Sequence, residues 1–324
     1  MLVLVTDYSA FCNNVVINLI RQSLGKPIIL IDEEGTEIKE FNIPEGVTKI
    51  GERAFYICSG LTSVTIPNSV TSIGREAFSG CFGLTSVTIP NSVTSIDEGG
   101  FSNCSGLTSV TIGNSVNNIG NSAFSGCGNL TVLSCLCSPT SIGNGIFDNC
   151  SKLKEITLDG ENVTTLFKGL TSLEKVMMGD NVISIDANAF SGCKGLKELT
   201  IGKNVTNIGE RAFTELDNID DVFCYAESLP DIHRTAFENS YIDYATLHVP
   251  ANALEEYKAT KPWSQFGKIV PLTDEELDIS TSNVAKEAEP KEWFTLDGRH
   301  ISKLQKGLNI VVLDDGTVKK VVVK

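Results

Sequence analysis

The chain has 324 residues, and 40 acidic against 26 basic side chains give it a formal net charge of −14. This balance argues against a nucleic-acid-binding protein, because phosphate recognition needs a cationic stripe, and it also disfavours anionic membrane surfaces. The charge is unevenly placed. Between Ala54 and Phe147 only Arg75, Glu76, Asp97 and Glu98 are charged, so Ser, Thr and Asn dominate the surface of this stretch.

Residues 1–40 are predicted to form an N-terminal cap, with a helix from Val15 to Leu24 and an extended segment from Pro27 to Ile31. The first residues are apolar, but they carry no basic segment and Asp7 interrupts them, so we expect no signal peptide there. No stretch of the sequence reaches the ~18 apolar residues that a membrane-spanning helix needs. We therefore expect no transmembrane segment.

From residue 41 onward one pattern recurs, and Leu61–Cys81 is a clear copy of it. Its phenylalanine returns every 23 residues, apart from one short unit and one that is longer by a residue: Phe55, Phe78, Phe101, Phe124, Phe147, Phe167, Phe190, Phe213 and Phe237. Such a period is typical of a solenoid, in which each coil buries its apolar face only against its neighbours. We predict a mainly β solenoid of 23-residue coils with short helical or 3₁₀ turns over residues 41–272.

Two alternate columns of each unit are predicted to point inward. The first column is Val64, Val87, Val110, Ile156, Val176, Leu199 and Val222, and the second is Ile66, Ile89, Ile112, Cys135, Leu158, Met178, Ile201 and Cys224. Period-2 spacing of such residues predicts one short strand per coil, paired in parallel with the next strand about 4.8 Å away. The phenylalanine column is predicted to close each coil as a stacked aromatic spine.

The outward positions of this strand change along the chain, from hydroxyl-rich in the first half to mixed charged and apolar in the second. A specialised surface should depart from the repeat, so we predict that a partner docks on the second half. The candidate residues are Thr157, Lys175, Met177, Glu198, Thr200, Asp221 and Phe223. The alternative is that degenerate repeats simply drift in sequence.

Six of the ten cysteines form one column, each three residues after a repeat phenylalanine: Cys58, Cys81, Cys104, Cys127, Cys150 and Cys193. Their Cβ vectors should run parallel and not converge, which predicts buried thiols, not disulfides. The alternative, a string of metal sites, lacks clustered histidines and C-x-x-C pairs. Ten cysteines without disulfide spacing indicate a reducing compartment.

Cys135-Leu136-Cys137 stands apart from this column. Cys135 replaces the isoleucine of the strand, and Cys137 falls where other units carry Asn68 or Asn91. The structural interpretation is that both are buried thiols. A redox or metal role is the alternative, although no partner ligands are near in sequence.

The sequence carries no recognisable catalytic motif. Its three histidines, His233, His248 and His300, form no familiar pairing, and there is no G-x-S-x-G, P-loop or H-E-x-x-H. A Ca²⁺ site at Glu198, Asp220 and Asp221 is conceivable, but no oxygen-rich ligand loop surrounds them. We predict no enzyme activity, no catalytic residues, no cofactor and no metal.

Residues 273–290 are acidic and are predicted to be a linker, and residues 291–324 a small β module. In that module Asp315-Gly316 is a hairpin turn signal between Leu308–Leu313 and Val318–Val323.

The units Leu61–Cys81 and Leu84–Cys104 closely resemble the BspA-like, or treponemal-type, class of leucine-rich repeats, and the resemblance covers about residues 41–240. The closing stretch from Cys224 to Val270 looks like the usual end of such arrays in gut and oral bacteria. The tail from Leu296 to Lys324 resembles, less specifically, a short C-terminal module of exported proteins from those bacteria.

The resemblance implies a curved solenoid that is secreted or displayed on the cell surface and that adheres to host matrix proteins such as fibronectin and fibrinogen, or to other bacteria. A non-enzymatic, adhesin-like protein that binds a protein or a glycan is thus the expected function. The alternative is a spacer or scaffold without a ligand of its own. The implied localisation conflicts with the one that the cysteines indicate, and the oligomeric state is left open.

Overall fold

The computed structural model describes residues 2–5, 28–31, 38–273, 276, 290–295, 300–301, 307–313 and 318–323, with side chains for residues 38–273 and 276. The chain divides into two compact units, residues 1–272 and 273–324. In the first unit, strand β1 (Leu2–Val5) pairs in parallel with β2 (Ile28–Ile31), where an extended segment is predicted. The predicted helix Val15–Leu24 lies outside the described residues.

Except at the C-terminal end of the array, each coil contributes a longer and a shorter strand. In chain order these are β3 (Glu40–Asn42), β4 (Lys49–Ile50), β5 (Ser63–Thr65), β6 (Ser72–Ile73), β7 (Ser86–Ile89), β8 (Ser95–Ile96), β9 (Ser109–Ile112), β10 (Asn118–Ile119), β11 (Val132–Cys135), β12 (Ser141–Ile142), β13 (Glu155–Leu158), β14 (Asn162–Val163), β15 (Lys175–Met178), β16 (Ser184–Ile185), β17 (Glu198–Ile201), β18 (Asn207–Ile208), β19 (Asp221–Cys224), β20 (Asp231–Ile232), β21 (Thr246–Val249) and β22 (Lys268–Pro271). Helix α1 (Leu254–Ala259) and 3₁₀ turns at Thr165–Phe167 and Trp263–Gln265 complete the unit.

The longer strands form a nine-stranded parallel sheet in the order β7-β9-β11-β13-β15-β17-β19-β21-β22, and β3 pairs with β5 before it. Equivalent positions of successive coils face each other in register, as Val87 faces Val110 and Val110 faces Leu133. Because side chains alternate along a strand, this register turns both apolar columns toward the core. The predicted solenoid is confirmed. The prediction of one strand per coil is wrong, because a second stretch of most repeats also lies in register with its copy in the next coil and pairs as a two-residue strand, as Ser72–Ile73 does with Ser95–Ile96.

The phenylalanine column forms the predicted aromatic spine. Rings from Phe55 to Phe147 stack with centroid separations of 4.8, 5.0, 5.3 and 5.7 Å, and rings from Phe167 to Phe237 stack at 5.7, 5.7 and 5.1 Å. Among the described residues, no ring contact joins Phe147 to Phe167. The spine therefore has two segments, separated at the short unit.

The short unit also interrupts the second sheet. The shorter strands form one sheet of β4, β6, β8, β10 and β12 and another of β14, β16, β18 and β20. A cleft of about 650 Å³ lies at this interruption, and it is lined by residues 142–151 and by Thr165, Leu166 and residues 168–172. The sequence predicts a kink or a tightening at the short unit; the structure shows a gap on one side of the coil, while β13 and β15 stay paired on the other.

The cysteine column is buried, as predicted. The thiol of each of five members donates a hydrogen bond to the backbone carbonyl of a phenylalanine in the preceding coil, as Cys104 does to Phe78 at 3.0 Å. Burial raises the pKa of Cys58 and of Cys193 to about 12, so both remain protonated at neutral pH. We call these six residues the thiol ladder.

A cluster of aromatic residues covers the C-terminal end of the solenoid. Trp263 is fully buried, and its ring lies edge-on to Phe237 at 5.8 Å and to Tyr257 at 5.3 Å. The Tyr257 hydroxyl donates a hydrogen bond to the carbonyl of Ala226 at 3.0 Å. Phe266 packs on the Phe237 ring at 5.3 Å. These side chains shield the last coil of the core from water.

The second unit contains an antiparallel sheet in the order β24-β23-β25-β26, formed by β23 (Pro290–Thr295), β24 (His300–Ile301), β25 (Gly307–Leu313) and β26 (Val318–Val323). Strands β25 and β26 pair as the hairpin signal predicts, although Asp315-Gly316 lies outside the described residues. Most of the predicted linker also lies outside them, so the linker and the boundary at residue 40 stay predictions. Across the described residues, no helix is both long and apolar enough to cross a membrane.

Candidate functional site: the outward face of the long sheet

The seven candidate residues lie on four neighbouring strands, β13, β15, β17 and β19, in two adjacent rows. One row is Lys175, Glu198 and Asp221, and the other is Thr157, Met177, Thr200 and Phe223, with each residue opposite the next in the register of the sheet. All seven are half-buried and face away from the core. We call these seven residues, together with His248, the sheet patch.

His248 belongs to the sheet patch because it extends the second row onto β21. It lies opposite Phe223, and the two rings stack with centroids 4.4 Å apart. Its Nε2 forms a hydrogen bond with Asp221 Oδ1 at 3.1 Å. Asp221 and Phe223 are therefore oriented by a residue that the sequence analysis does not place in the site.

The signal for His248 is present in the sequence but weak. Leu247 and Val249 alternate with it as inward residues, which would turn His248 outward. His248 lies beyond the last regular 23-residue unit, so the repeat period does not predict which position of the strand it occupies.

An ion pair lies in the first row of the sheet patch. Lys175 Nζ is 2.6 Å from Glu198 Oε1, and the two side chains are 35% and 38% exposed. Pairs with this exposure contribute about 0–1 kcal/mol to stability, because solvent screens them. The pair therefore contributes little to the stability of the sheet. Its main effect is to orient two charged side chains next to the second row.

The sheet patch combines groups that protein interfaces favour. Aromatic and methionine side chains are enriched at interface cores, and methionine adapts its shape to a partner. In the first half of the sheet the equivalent positions are small hydroxyl residues, such as Thr88 and Thr111. The second half of the sheet therefore differs in chemistry from the first, as the sequence predicts, and its differing residues are neighbours on one surface.

No side chain next to His248 in the second row of the sheet patch could act as a nucleophile that His248 would activate. Its neighbours there are Phe223 and Val270, neither of which can attack a substrate. Within the described part of the chain, no group of three or more His, Cys, Asp or Glu side chains is arranged to hold a metal. Glu198 and Asp221, considered above for Ca²⁺, instead contact Lys175 and His248.

Stacked coils, parallel strands in register and an internal aromatic spine define a leucine-rich-repeat solenoid, a class of proteins that bind other proteins or act as scaffolds and are typically non-catalytic. Residues 34–154 and 140–258 match the BspA type leucine rich repeat region, in six copies. The chain therefore belongs to the BspA-type leucine-rich repeat family, as its repeat units suggest.

Several solved structures resemble the chain. A leucine-rich repeat protein from Bacteroides ovatus is 27% identical, over 76% of this chain and 67% of that one, with a TM-score of 0.45. The T. pallidum leucine rich repeat protein is 25% identical, over 56% and 78%, with a TM-score of 0.39. A leucine rich cell surface protein from Faecalibacterium prausnitzii is 21% identical, over 77% and 74%, with a TM-score of 0.28. No curated protein sequence matches the chain.

Proposed function

We propose that the chain is a secreted or cell-surface binding protein that holds a macromolecular partner on the sheet patch. The observation that carries the proposal is the continuous row Met177, Thr200, Phe223 and His248 beside the Lys175–Glu198 ion pair. Half-buried aromatic and methionine side chains next to fixed charges are the usual anchors of a protein interface. A host matrix protein or a bacterial surface protein fits this chemistry, and a glycan could use the aromatic ring.

An extracellular location is compatible with the thiol ladder. Its thiols are buried and most of them donate a hydrogen bond to a phenylalanine carbonyl, which shields them from soluble oxidants. Many cysteines without disulfide spacing therefore do not require a reducing compartment in this fold. The surface location of the Faecalibacterium protein supports the same proposal by similarity alone.

The test is a solid-phase screen of the purified chain against host matrix proteins and a glycan array at physiological salt. For a saturable hit, we expect the double variant Met177→Ala/Phe223→Ala to bind at least about tenfold more weakly, because truncating two central anchors costs more than about 1.4 kcal/mol. Its melting temperature should stay within a few degrees of the parent, since both side chains point out of the core.

The matched control is Thr88→Ala/Thr111→Ala, at equivalent positions on the first half of the same sheet. We expect this variant to bind like the parent. Undiminished binding by the Met177/Phe223 variant would remove the sheet patch as the docking site.

A scaffold without its own ligand is the second candidate function. The uniform Ser and Thr positions of the first half of the sheet favour it, because they repeat without a distinct feature. A screen that finds no partner for the folded protein would support this function over the first.

A further inference from the structure

Cys135 and Cys137 face each other at the end of β11. Their sulfur atoms are 3.1 Å apart, and both side chains are buried, with 1% and 4% of their surfaces exposed. The two cysteines are two residues apart in the chain, whereas the ladder thiols that interact, such as Cys81 with Cys104, belong to successive coils. In an extended chain residues i and i+2 point to the same side, so both side chains of the C-x-C sequence turn toward the core.

The thiol ladder provides an internal comparison. Its members repeat every coil, and five donate to backbone carbonyls. Cys137 has no such column, since it stands where other coils carry Asn68, Asn91 and Asn114. Burial raises the pKa of the ladder thiols Cys58 and Cys193, which makes them poor nucleophiles.

Within the ladder, Cys127 and Cys150 share the asymmetry of the pair, since their mutual hydrogen bond raises the pKa of Cys127 and lowers the pKa of Cys150. What sets Cys135 and Cys137 apart is a sulfur–sulfur contact of 3.1 Å within one short stretch of chain.

We propose that Cys135 and Cys137 are a dithiol–disulfide couple, a redox modification site within the solenoid wall. Oxidation by a small-molecule disulfide such as oxidised glutathione breaks one sulfur–sulfur bond and forms one between Cys135 and Cys137. The two thiol protons pass to the two glutathione molecules that leave. Excess thiol reverses each step.

The asymmetry of the pair supplies the chemistry that exchange needs. The hydrogen bond from the Cys137 thiol lowers the pKa of Cys135, and the pKa of Cys137 is raised in turn. A thiolate is the attacking species in disulfide exchange, so Cys135 is the nucleophile in a partly folded chain, where this contact has formed and the next coil does not yet cover it. Cys137 then closes the intramolecular disulfide by attacking the mixed disulfide at the Cys135 sulfur.

The surroundings indicate a site that is oxidised as the chain folds. In the folded solenoid Gly160 of the next coil lies against Cys137, since a Cβ built on Gly160 would be 2.2 Å from the Cys137 carbonyl oxygen. A soluble disulfide has little room to enter there. In the unfolded chain both sulfurs are accessible. A disulfide that closes so short a loop removes little unfolded-state entropy, so it serves as a redox site more than as a staple.

The test refolds the reduced, denatured full-length chain in glutathione buffers of graded ratio, with a dithiothreitol refolding as the reduced reference. Free thiols are then trapped with N-ethylmaleimide in denaturant, and the products are mapped by mass spectrometry. Chymotrypsin can cut after Leu136, between the two cysteines, so a disulfide keeps the two fragments joined until reduction.

We expect the joined fragments, lighter by two hydrogens and unlabelled, in oxidising buffer, and the separate labelled fragments in dithiothreitol. All six ladder cysteines should be labelled in both. Labelling of Cys135 and Cys137 at every glutathione ratio would overturn the proposal, and so would a disulfide between ladder cysteines in their place.

Two variants sharpen the result. Cys137→Asn installs the residue that equivalent coils carry, so it should fold, and Cys135 should then be labelled in every buffer. Cys104→Ser changes a ladder thiol and should leave the Cys135–Cys137 disulfide intact. A Cys135 that stays unlabelled in folded Cys137→Asn would assign its partner elsewhere and refute the pairing.

Discussion

Replacing Phe124 by alanine is expected to lower the free energy of unfolding by about 3–5 kcal/mol. Phe124 is fully buried, and its ring stacks between Phe101 at 5.3 Å and Phe147 at 5.7 Å. Truncation removes a large apolar side chain and leaves a cavity that rigid strands on either side cannot fill. In a solenoid each coil is stabilised only by its neighbours, so the loss weakens two interfaces at once.

The matched control for this change is Phe82→Ala in the same half of the solenoid. The Phe82 side chain is 46% exposed, so we expect a loss of less than about 1 kcal/mol. Urea unfolding followed by circular dichroism measures both variants. Similar midpoints for the two variants would show that the phenylalanine spine does not contribute to stability as its packing indicates.

Replacing Trp263 by alanine is expected to cost a similar amount, about 3–5 kcal/mol, and to act on the C-terminal end of the solenoid. Trp263 is fully buried against Phe237 and Tyr257. Terminal caps are needed in repeat proteins because they cover a core that has no further coil to pack on. Without the indole ring, water would reach the last coil, and β21 and β22 should lose protection first. Native-state hydrogen exchange measures that order.

Two further variants separate the loss of packing from other effects. Among the described residues, the Trp263 Nε1 group has no hydrogen-bond partner, so Trp263→Phe should recover much of the stability that alanine loses. Tyr244→Ala removes a side chain that is 82% exposed at the same end, and it should be nearly neutral. An equal loss in Trp263→Phe and Trp263→Ala would contradict this account of the cap.

The two stability variants should affect the sheet patch differently, because Trp263 lies near it and Phe124 does not. Trp263 belongs to the cap beyond β21, the strand that carries His248, and His248 orients Phe223 and Asp221. Fraying of β21 should therefore weaken the C-terminal side of the sheet patch. Phe124 lies in a coil outside the sheet patch and does not contact it.

The sequence by itself determined the parts of this protein that repeat. A position that recurs every 23 residues meets its own copy in the next coil, so the character of one column predicts its contacts: inward strand residues, stacked phenylalanines such as Phe78 on Phe101, and buried thiols such as Cys104. The placement of the seven candidate residues in two rows follows from the same register.

Only the tertiary structure decided what happens where the register is lost. The short unit lacks three residues, and the sequence does not show which side of the coil loses them. In the structure β13 still pairs with β15, whereas the second sheet and the phenylalanine spine are interrupted. Cys135 and Phe223 belong to repeating columns, but the residues that they contact, Cys137 and His248, do not. The geometry of these two contacts depends on how the backbone runs at single sites, which no period in the sequence encodes.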